Sequence, residues 1–290
     1  MNKGKYFDWR KIKSIDENDI SEYLDWISPG RYSCTVHPKG YKMFISKQEI
    51  NIKNEYADGD LYTVDINHNV FHRARIESTI HLIDKCFEKE HFFKLLDIGC
   101  GKGYITNRIQ NNFPNAEISA LDYSVSAIDF AFENFKNIDF IVADAYNLPY
   151  SENYYDIVVC NNIWEHVPDP LNMLKEIQKI LKKNGYLIIS TPSRFRLGNV
   201  LRIISGTSPI FLSSMHITEY TIRQIIEQLQ YGKFKTVQVY SKKNYEVKGI
   251  KQVFIYYVVK PTLKFLLKFT SISPHTFEST CYFLAVNEKN

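Results

Sequence analysis

The sequence predicts an α/β protein whose mostly parallel sheet is covered by helices on both faces. Two observations carry this expectation. From Phe93 onward, short apolar runs alternate with helical patterns, the signature of parallel strands joined through helices. The glycine-rich turn of Gly99, Gly101 and Gly103 follows the first of those runs and precedes the first helix, so a ligand can approach the backbone closely there.

The candidate strands, in order, are FKLLDIG, AEISALDY, DFIVADA, YDIVVCNN, GYLIIST, KTVQVYS and CYFLAVNE. Between the first five, the spacing predicts helices over Tyr104 to Phe113, Ser124 to Phe135 and Pro170 to Lys183. Residues 1–90 differ in character. Tyr, Trp and His are spread through polar sequence, with turn signals at Ser28-Pro29-Gly30 and Pro38-Lys39-Gly40 and a helix from about Asn69 to Glu88. This part reads as an N-terminal extension or lid folded against a sheet domain of residues 91–290. Two segments exceed ordinary loop length, 193–221 and 242–274. The second carries VFIYYVVKPTLKFLLKF, with regularly placed lysines and a break expected at Lys260-Pro261.

A chain of 290 residues with 44% hydrophobic content can fill a sizeable core. Its 36 basic against 32 acidic residues leave a formal charge of +4, without the long-range field that nucleic-acid binding usually needs. No nucleic-acid partner is expected. Five scattered cysteines suit reduced thiols in a cytoplasm. The first residues, MNKGKYFDWRKIKSIDEND, contain no apolar run of the secretory kind, and no segment reaches the roughly 18 uninterrupted apolar residues of a membrane span.

The chemistry of the glycine turn follows from its neighbours. Tyr104 stands where a G-x-G-x-x-G loop would place its third glycine, and Lys102 is followed by Gly103 rather than Ser or Thr. Asp97, just before the turn, would repel a phosphate but welcome a cation or ammonium group. Asp122 ends the next strand, where a carboxylate can accept from both ribose hydroxyls. Asp144 ends the third and is followed by Ala145; a carboxylate there can receive an adenine amino group while the adjacent backbone reads a ring nitrogen. The ligand these residues describe is a nucleoside carrying positive charge.

The blocks LLDIGCGKG, SALDYS, VADAYNLPYSENYYDIVVCNNIWEHVPDP and LKKNGYLIISTPS occur in this order over about Phe92 to Ser193, and HITEYTIRQIIEQL extends them to about Leu229. On these blocks the chain resembles the class I S-adenosylmethionine-dependent methyltransferases. The resemblance implies a Rossmann-like, seven-stranded sheet with an antiparallel last strand and S-adenosylmethionine as cofactor. By position it implies that Gly99 and Gly101 line the methionine part, with Asp97 and Cys100 in the same loop. It likewise assigns Asp122, with Tyr123, to the ribose, Asp144 and Ala145 to the adenine, and Asn161 to the sulfonium end. Arg75, with Arg73 next, is the candidate for the cofactor carboxylate.

Methyl transfer is an in-line displacement that gains much from alignment, and an alcohol acceptor also needs a base. His166 in WEHVPDP and His216 in SMHITEYT are the candidate general bases; each, with Glu219, serves equally as a structural hydrogen-bond partner at a helix start. Glu165-His166 resembles an E-x-x-E-H cluster implicated in metal binding in a quinone O-methyltransferase branch, but Asn162 replaces the first glutamate. Cys34-Thr35-Val36-His37 has no second ligand pair. No metal is therefore expected. The expected acceptor is a hydroxyl of a small molecule, a sugar or a lipid-linked metabolite; N- or C-methylation, or a catalytically silent module that binds the same cofactor, are the alternatives. Residues 250–270, apolar with basic edges, add an expected peripheral contact with the inner membrane surface.

Overall fold

The structure, a computed structural model, describes residues 5, 34–44, 70–244, 247, 249–270 and 272–289. In chain order the elements are β1 (Thr35–Val36), β2 (Lys42–Met43), α1 (Val70–Ile83), β3 (Lys94–Ile98), α2 (Tyr104–Asn112), β4 (Glu117–Asp122), α3 (Val125–Asn134), β5 (Ile138–Val142), β6 (Tyr155–Asn161) and α4 (Pro170–Ile180). There follow β7 (Leu181–Pro192), α5 (Leu197–Ile204), α6 (Ile222–Tyr231), β8 (Phe234–Tyr240), α7 (Ile250–Phe254), a π-helical turn (Ile255–Val259), α8 (Lys260–Leu267) and β9 (Thr280–Asn287).

These strands form one sheet in the order β1-β2-β5-β4-β3-β6-β7-β9-β8. The seven strands β3 to β9 are the expected ones, and the last, β9, runs antiparallel to both neighbours, β7 and β8. Among the described residues the sheet nevertheless has nine strands rather than seven. A hairpin of the N-terminal extension adds β2, parallel to β5 with Met43 opposite Val142, and β1, antiparallel to β2. Strands of two residues carry no alternation for a periodicity argument to find. Their turn is the one signalled by Pro38-Lys39-Gly40, with Gly40 at φ 101° and its N–H donating to the His37 carbonyl at 2.7 Å. The signal at Ser28-Pro29-Gly30 lies outside the described residues.

The central strands read as unbroken apolar runs because both faces are covered. Successive residues go to opposite sides: Leu96 and Val158 pack with Met173 and Ile177 of α4 and Ile225 of α6, whereas Leu95 and Val159 pack with Leu82 of α1, Ile109 of α2 and Ile128 of α3. Side chains fix the helix starts. Ser124 accepts from Ala127 N, Asp169 from Asn172 N ahead of Pro170, and Thr221 forms a capping box with Gln224.

Three expected boundaries move. The helix expected to reach Glu88 is α1 and stops at Ile83, after which Lys85 N and Cys86 N donate to the Leu82 and Ile83 carbonyls in a closing turn. α4 ends at Ile180 rather than Lys183, because Leu181 turns extended and pairs with Tyr155 of β6. No break occurs at Lys260-Pro261: backbone φ/ψ stay helical at Phe254, Val259 and Lys260, so one helical rod runs from Ile250 to Leu267. Proline lacks an N–H and crowds the preceding turn; the widened π turn immediately before Pro261 accommodates it, and Thr262 Oγ1 donates to the Val258 carbonyl at 2.8 Å.

Candidate active site

Because β5, β4, β3 and β6 are adjacent and parallel, their carboxyl ends share one edge, where open α/β sheets take their ligands. Asp144, Asp122, Asp97 and Asn161 stand along it in that spatial order. The glycine turn leaves the crevice open. Gly99 has φ 72°, and a Cβ there would come within 3.0 Å of Ile163 Cδ1; at Gly103 (φ 74°) it would meet Ala131 and Phe140 at the same distance, so this glycine lets α2 pack closely.

Asp122 ties the turn to the next helix: Gly101 N donates to its Oδ2 at 2.8 Å and Ser124 N to its Oδ1 at 2.9 Å. Burial raises its pKa, against the N–H groups of Ser124, Gly101 and Tyr123. A carboxylate has about four acceptor sites, so these bonds leave capacity for a ligand. Asp97 is buried and accepts from Thr106 Oγ1 at 2.6 Å. Burial pushes its carboxyl up to about 7, with Thr106 and the Arg75 charge opposing the rise and Asp122 adding to it. An acid raised in the folded chain contributes stability that is complete below its ordinary 3.8 and is lost as pH rises through about 7. A cation beside Asp97 would reverse that loss.

Asp144 Oδ1 accepts from Tyr146 N at 2.9 Å, Ala145 is buried beside it, and Tyr123 is half-buried after Asp122. Asn161 is held from three sides. Its Oδ1 receives Thr79 Oγ1 of α1 at 3.2 Å and lies 3.0 Å from Ser190 Oγ, and its carbonyl accepts Arg75 Nη2 at 3.0 Å. Its Nδ2 is buried with no partner, an arrangement that costs about 1–3 kcal/mol and marks a place for an acceptor. Arg75 thus reaches the ligand edge, whereas Arg73, two positions away and so on another side of α1, is exposed.

The chain leaves β6 through Asn162, at φ 53°, and is anchored by Trp164, fully buried with Nε1 donating to Gln228 Oε1 of α6 at 2.8 Å. Segment 193–221 folds back onto this turn, with Ile217 N donating to the Glu165 carbonyl at 2.9 Å. That contact brings the rings of His166 and His216 to 4.9 Å, edge to face. His166 Nδ1 lies 3.2 Å from the Met215 carbonyl and His216 Nδ1 2.9 Å from Glu219 Oε1. The Met215 carbonyl and an ionised Glu219 only accept, so each Nδ1 carries a proton, and a neutral His166 keeps its lone pair on Nε2. Burial would raise Glu219, but His216, the Leu212 N–H and Arg196 together hold it below the usual carboxylate range. Burial, then the neighbouring His216, holds His166 below its ordinary 6.5 despite Glu165.

Glu165, His166 and His216 each offer one ligand atom within 4.8 Å of the others, a set that could hold a divalent cation. Asn162 Nδ2 occupies Glu165 Oε1 at 2.9 Å, and Oε2 is buried without a partner. Sequence spacing pairs neither the two histidines nor Glu165 with His216, because 50 positions separate His166 from His216 and only the fold closes them. Glu219 does not start a helix; Thr221 does, and Glu219 is buried between His216 and Arg196. Cys34 is exposed, while His37 stacks on Tyr41 at 4.4 Å. Burial pushes the thiols of Cys100 and Cys160 well up, so both pack rather than react.

Residues 89–233, half of the chain, match the model of a family described as a methyltransferase domain. Over 135 residues the chain is 31% identical to a malonyl-[acyl-carrier protein] O-methyltransferase of Hahella chejuensis, covering 44% of this chain and 48% of that protein. Over 169 residues it is 28% identical to a ubiquinone biosynthesis O-methyltransferase of Rickettsia bellii, covering 56% and 69%. The chain spans about half the length of the first curated relatives it matches. Among solved structures, the [4+2]-cyclase SpnF superposes with a TM-score of 0.53 at 16% identity, over 74% of this chain and 81% of that one. The MccD protein gives 0.50 at 17%, over 73% and 96%. At such identities the likeness is one of fold alone, and the cyclase illustrates that this fold does not dictate a reaction.

Proposed function

From the premise that the chain belongs to the S-adenosylmethionine-dependent methyltransferase family, we propose that it methylates a hydroxyl of a small or lipid-linked acceptor, with His166 as general base. The observation that carries this reading is the packed His166–His216 pair beside the edge of acids, with the Arg75 charge felt at both Asp97 and His166.

The residues present fit the cofactor: a buried unpaired amide at Asn161, spare acceptor sites on Asp122 and a crevice that a side chain at Gly99 would narrow. When bound, S-adenosylmethionine supplies an electrophilic methyl group on a sulfonium. Asp97 would face its cationic ammonium, with the Gly99, Cys100 and Gly101 backbone along the methionine part and Arg75 at the carboxylate. Asp122 and Tyr123 would hold the ribose, and Asp144 and Ala145 the adenine. Asn161 would lie at the sulfonium end. His166 Nε2, kept neutral by burial and by His216, removes the acceptor proton, while His216, oriented by Glu219, fixes the ring. The turnover of the chain is then expected to fall only as pH drops below the ordinary histidine value of 6.5, which a pH profile of kcat reads directly.

Asp97 gives a second expectation. Because its carboxyl titrates at about 7, cofactor binding near neutral pH should release protons, and affinity should rise as pH passes upward through 7. Calorimetry in two buffers of different ionisation enthalpy measures that release; identical heats would remove Asp97 from the ammonium site. Trp164→Ala should cost about 3–5 kcal/mol of stability by leaving a large cavity and removing the indole donor to Gln228, measured by denaturant unfolding.

The Glu165–His166–His216 cluster favours a second reading, a divalent cation that would hold the acceptor oxygen. The two part on chelation: the base reading expects turnover unchanged after EDTA and gel filtration, the cation reading expects its loss. The acceptor is tested by incubating the chain with methyl-labelled cofactor and with ubiquinone precursors or malonyl-acyl-carrier protein, the classes in the relatives' names; label on a precursor hydroxyl supports the reading, whereas label only on the malonyl carboxylate, which has no proton to lose, overturns it. The five free thiols agree with a cytoplasmic setting.

A further inference from the structure

Two elements at the ligand end of the sheet are turned inside out. On the rod from Ile250 to Leu267, the buried positions include Lys260, whose Nζ lies 2.9 Å from Glu278 Oε2, while Ile250 (90% exposed), Phe254, Tyr257, Phe265 and, just beyond, Phe269 (75%) face solvent. Their spacing is that of one helical stripe, so the apolar face of an amphipathic helix points outward. α5 repeats the pattern. Asn199 is buried, its Nδ2 donating to the carbonyls of Arg194 and Ile210 at 3.0 Å, whereas Leu201 and Ile204 (77%) are exposed. Ile210 and Leu212 continue the apolar surface.

The two elements share a support. Leu197 N at the start of α5 donates to the Phe277 carbonyl at 3.1 Å, and the next residue, Glu278, is clamped by Lys260 and by Lys264 at 2.7 Å. Segment 275–279 leads into β9, whose Thr280 pairs with Pro192 at the carboxyl end of β7. Both apolar surfaces therefore flank the mouth of the candidate site. Their charge leans one way: residues 247–278 contain five lysines and one acid, Glu278, and 193–219 contain three arginines and one acid, Glu219, which is buried in its ion pair with Arg196. Glu278, the first acid after the rod, is turned inward and neutralised. Lys268 is exposed among the apolar residues.

We propose that α5 and the Ile250–Phe269 rod form a docking face for an anionic lipid bilayer, which the protein touches peripherally with its site mouth toward the lipid headgroups. Among the described residues no helix is long and apolar enough to cross a membrane, so the contact lies in the interface plane. An exposed apolar stripe with basic edges matches a surface that offers hydrocarbon below and negative charge above, whereas a second copy of this chain would meet like charge on like charge.

The full chain is sedimented with phosphatidylcholine vesicles and with vesicles that also contain phosphatidylglycerol. Co-sedimentation with the mixed vesicles only, weakened by salt, is the expected result. Lys268→Glu should weaken it by at least about fivefold, and joint replacement of Phe254, Phe265 and Phe269 by serine by about a hundredfold or more. These residues are exposed, and a circular dichroism melt run beside each variant checks that it is folded. Recovery of the folded parent chain in the supernatant with both vesicle types overturns the proposal. So does binding that the triple variant retains, and so does a salt-independent dimer in sedimentation velocity that the same serines disperse. None of these readouts needs turnover, so they stand or fall apart from the base assignment.

Discussion

Asp122→Ala is expected to weaken S-adenosylmethionine binding by about a hundredfold or more. The carboxylate would lose charge-assisted bonds to two ribose hydroxyls, each of about 1.5–3 kcal/mol, and Gly101 N and Ser124 N would lose the acceptor that ties the glycine turn to α3. Asp122→Asn keeps an acceptor of the same shape and should fall between the parent and the alanine variant. Calorimetric titration of both, with a thermal melt to show that each is folded, separates lost binding from lost structure. Parental affinity in Asp122→Ala would mean that the ribose is not held there.

His166→Ala should lower kcat by about 10²–10⁴-fold while leaving cofactor affinity largely unchanged, since among the described residues its hydrogen bonds go to the Met215 and Ile163 carbonyls rather than to the residues assigned to the cofactor. Added imidazole should restore part of the rate, a recovery that a purely structural histidine would not show. His216→Ala should have a smaller effect on kcat together with a lowered melting temperature, because it removes the hydrogen bond to buried Glu219 and leaves that carboxylate facing Arg196 alone among its side-chain partners. Rates of His166→Ala equal to the parent would take the base role from this residue.

Much of this arrangement was legible in the sequence, for identifiable reasons. Central strands buried on both faces write themselves as short apolar runs, and an acid or glycine at a run's end marks the ligand edge, so Asp97, Asp122 and Asp144 were placed from spacing alone. Strands β1 and β2 were hidden because two residues carry no period. The partnership of His166 with His216 was hidden for another reason: it depends on Ile217 N reaching the Glu165 carbonyl, a contact between segments joined through β7 and α5. The Lys260-Pro261 break was misplaced because a proline reads as a stop, whereas a π turn ahead of it lets the rod continue. The outward apolar stripe was likewise ambiguous in sequence, since the same periodicity describes a helix facing a core or facing away from one.

Calorimetric titration of the purified parent chain with S-adenosylmethionine decides whether the sheet edge holds that cofactor. Saturable binding, with a proton released near pH 7, is the predicted result. A chain that is folded by circular dichroism yet binds neither the cofactor nor its demethylated product would mean that the edge is not a site for S-adenosylmethionine.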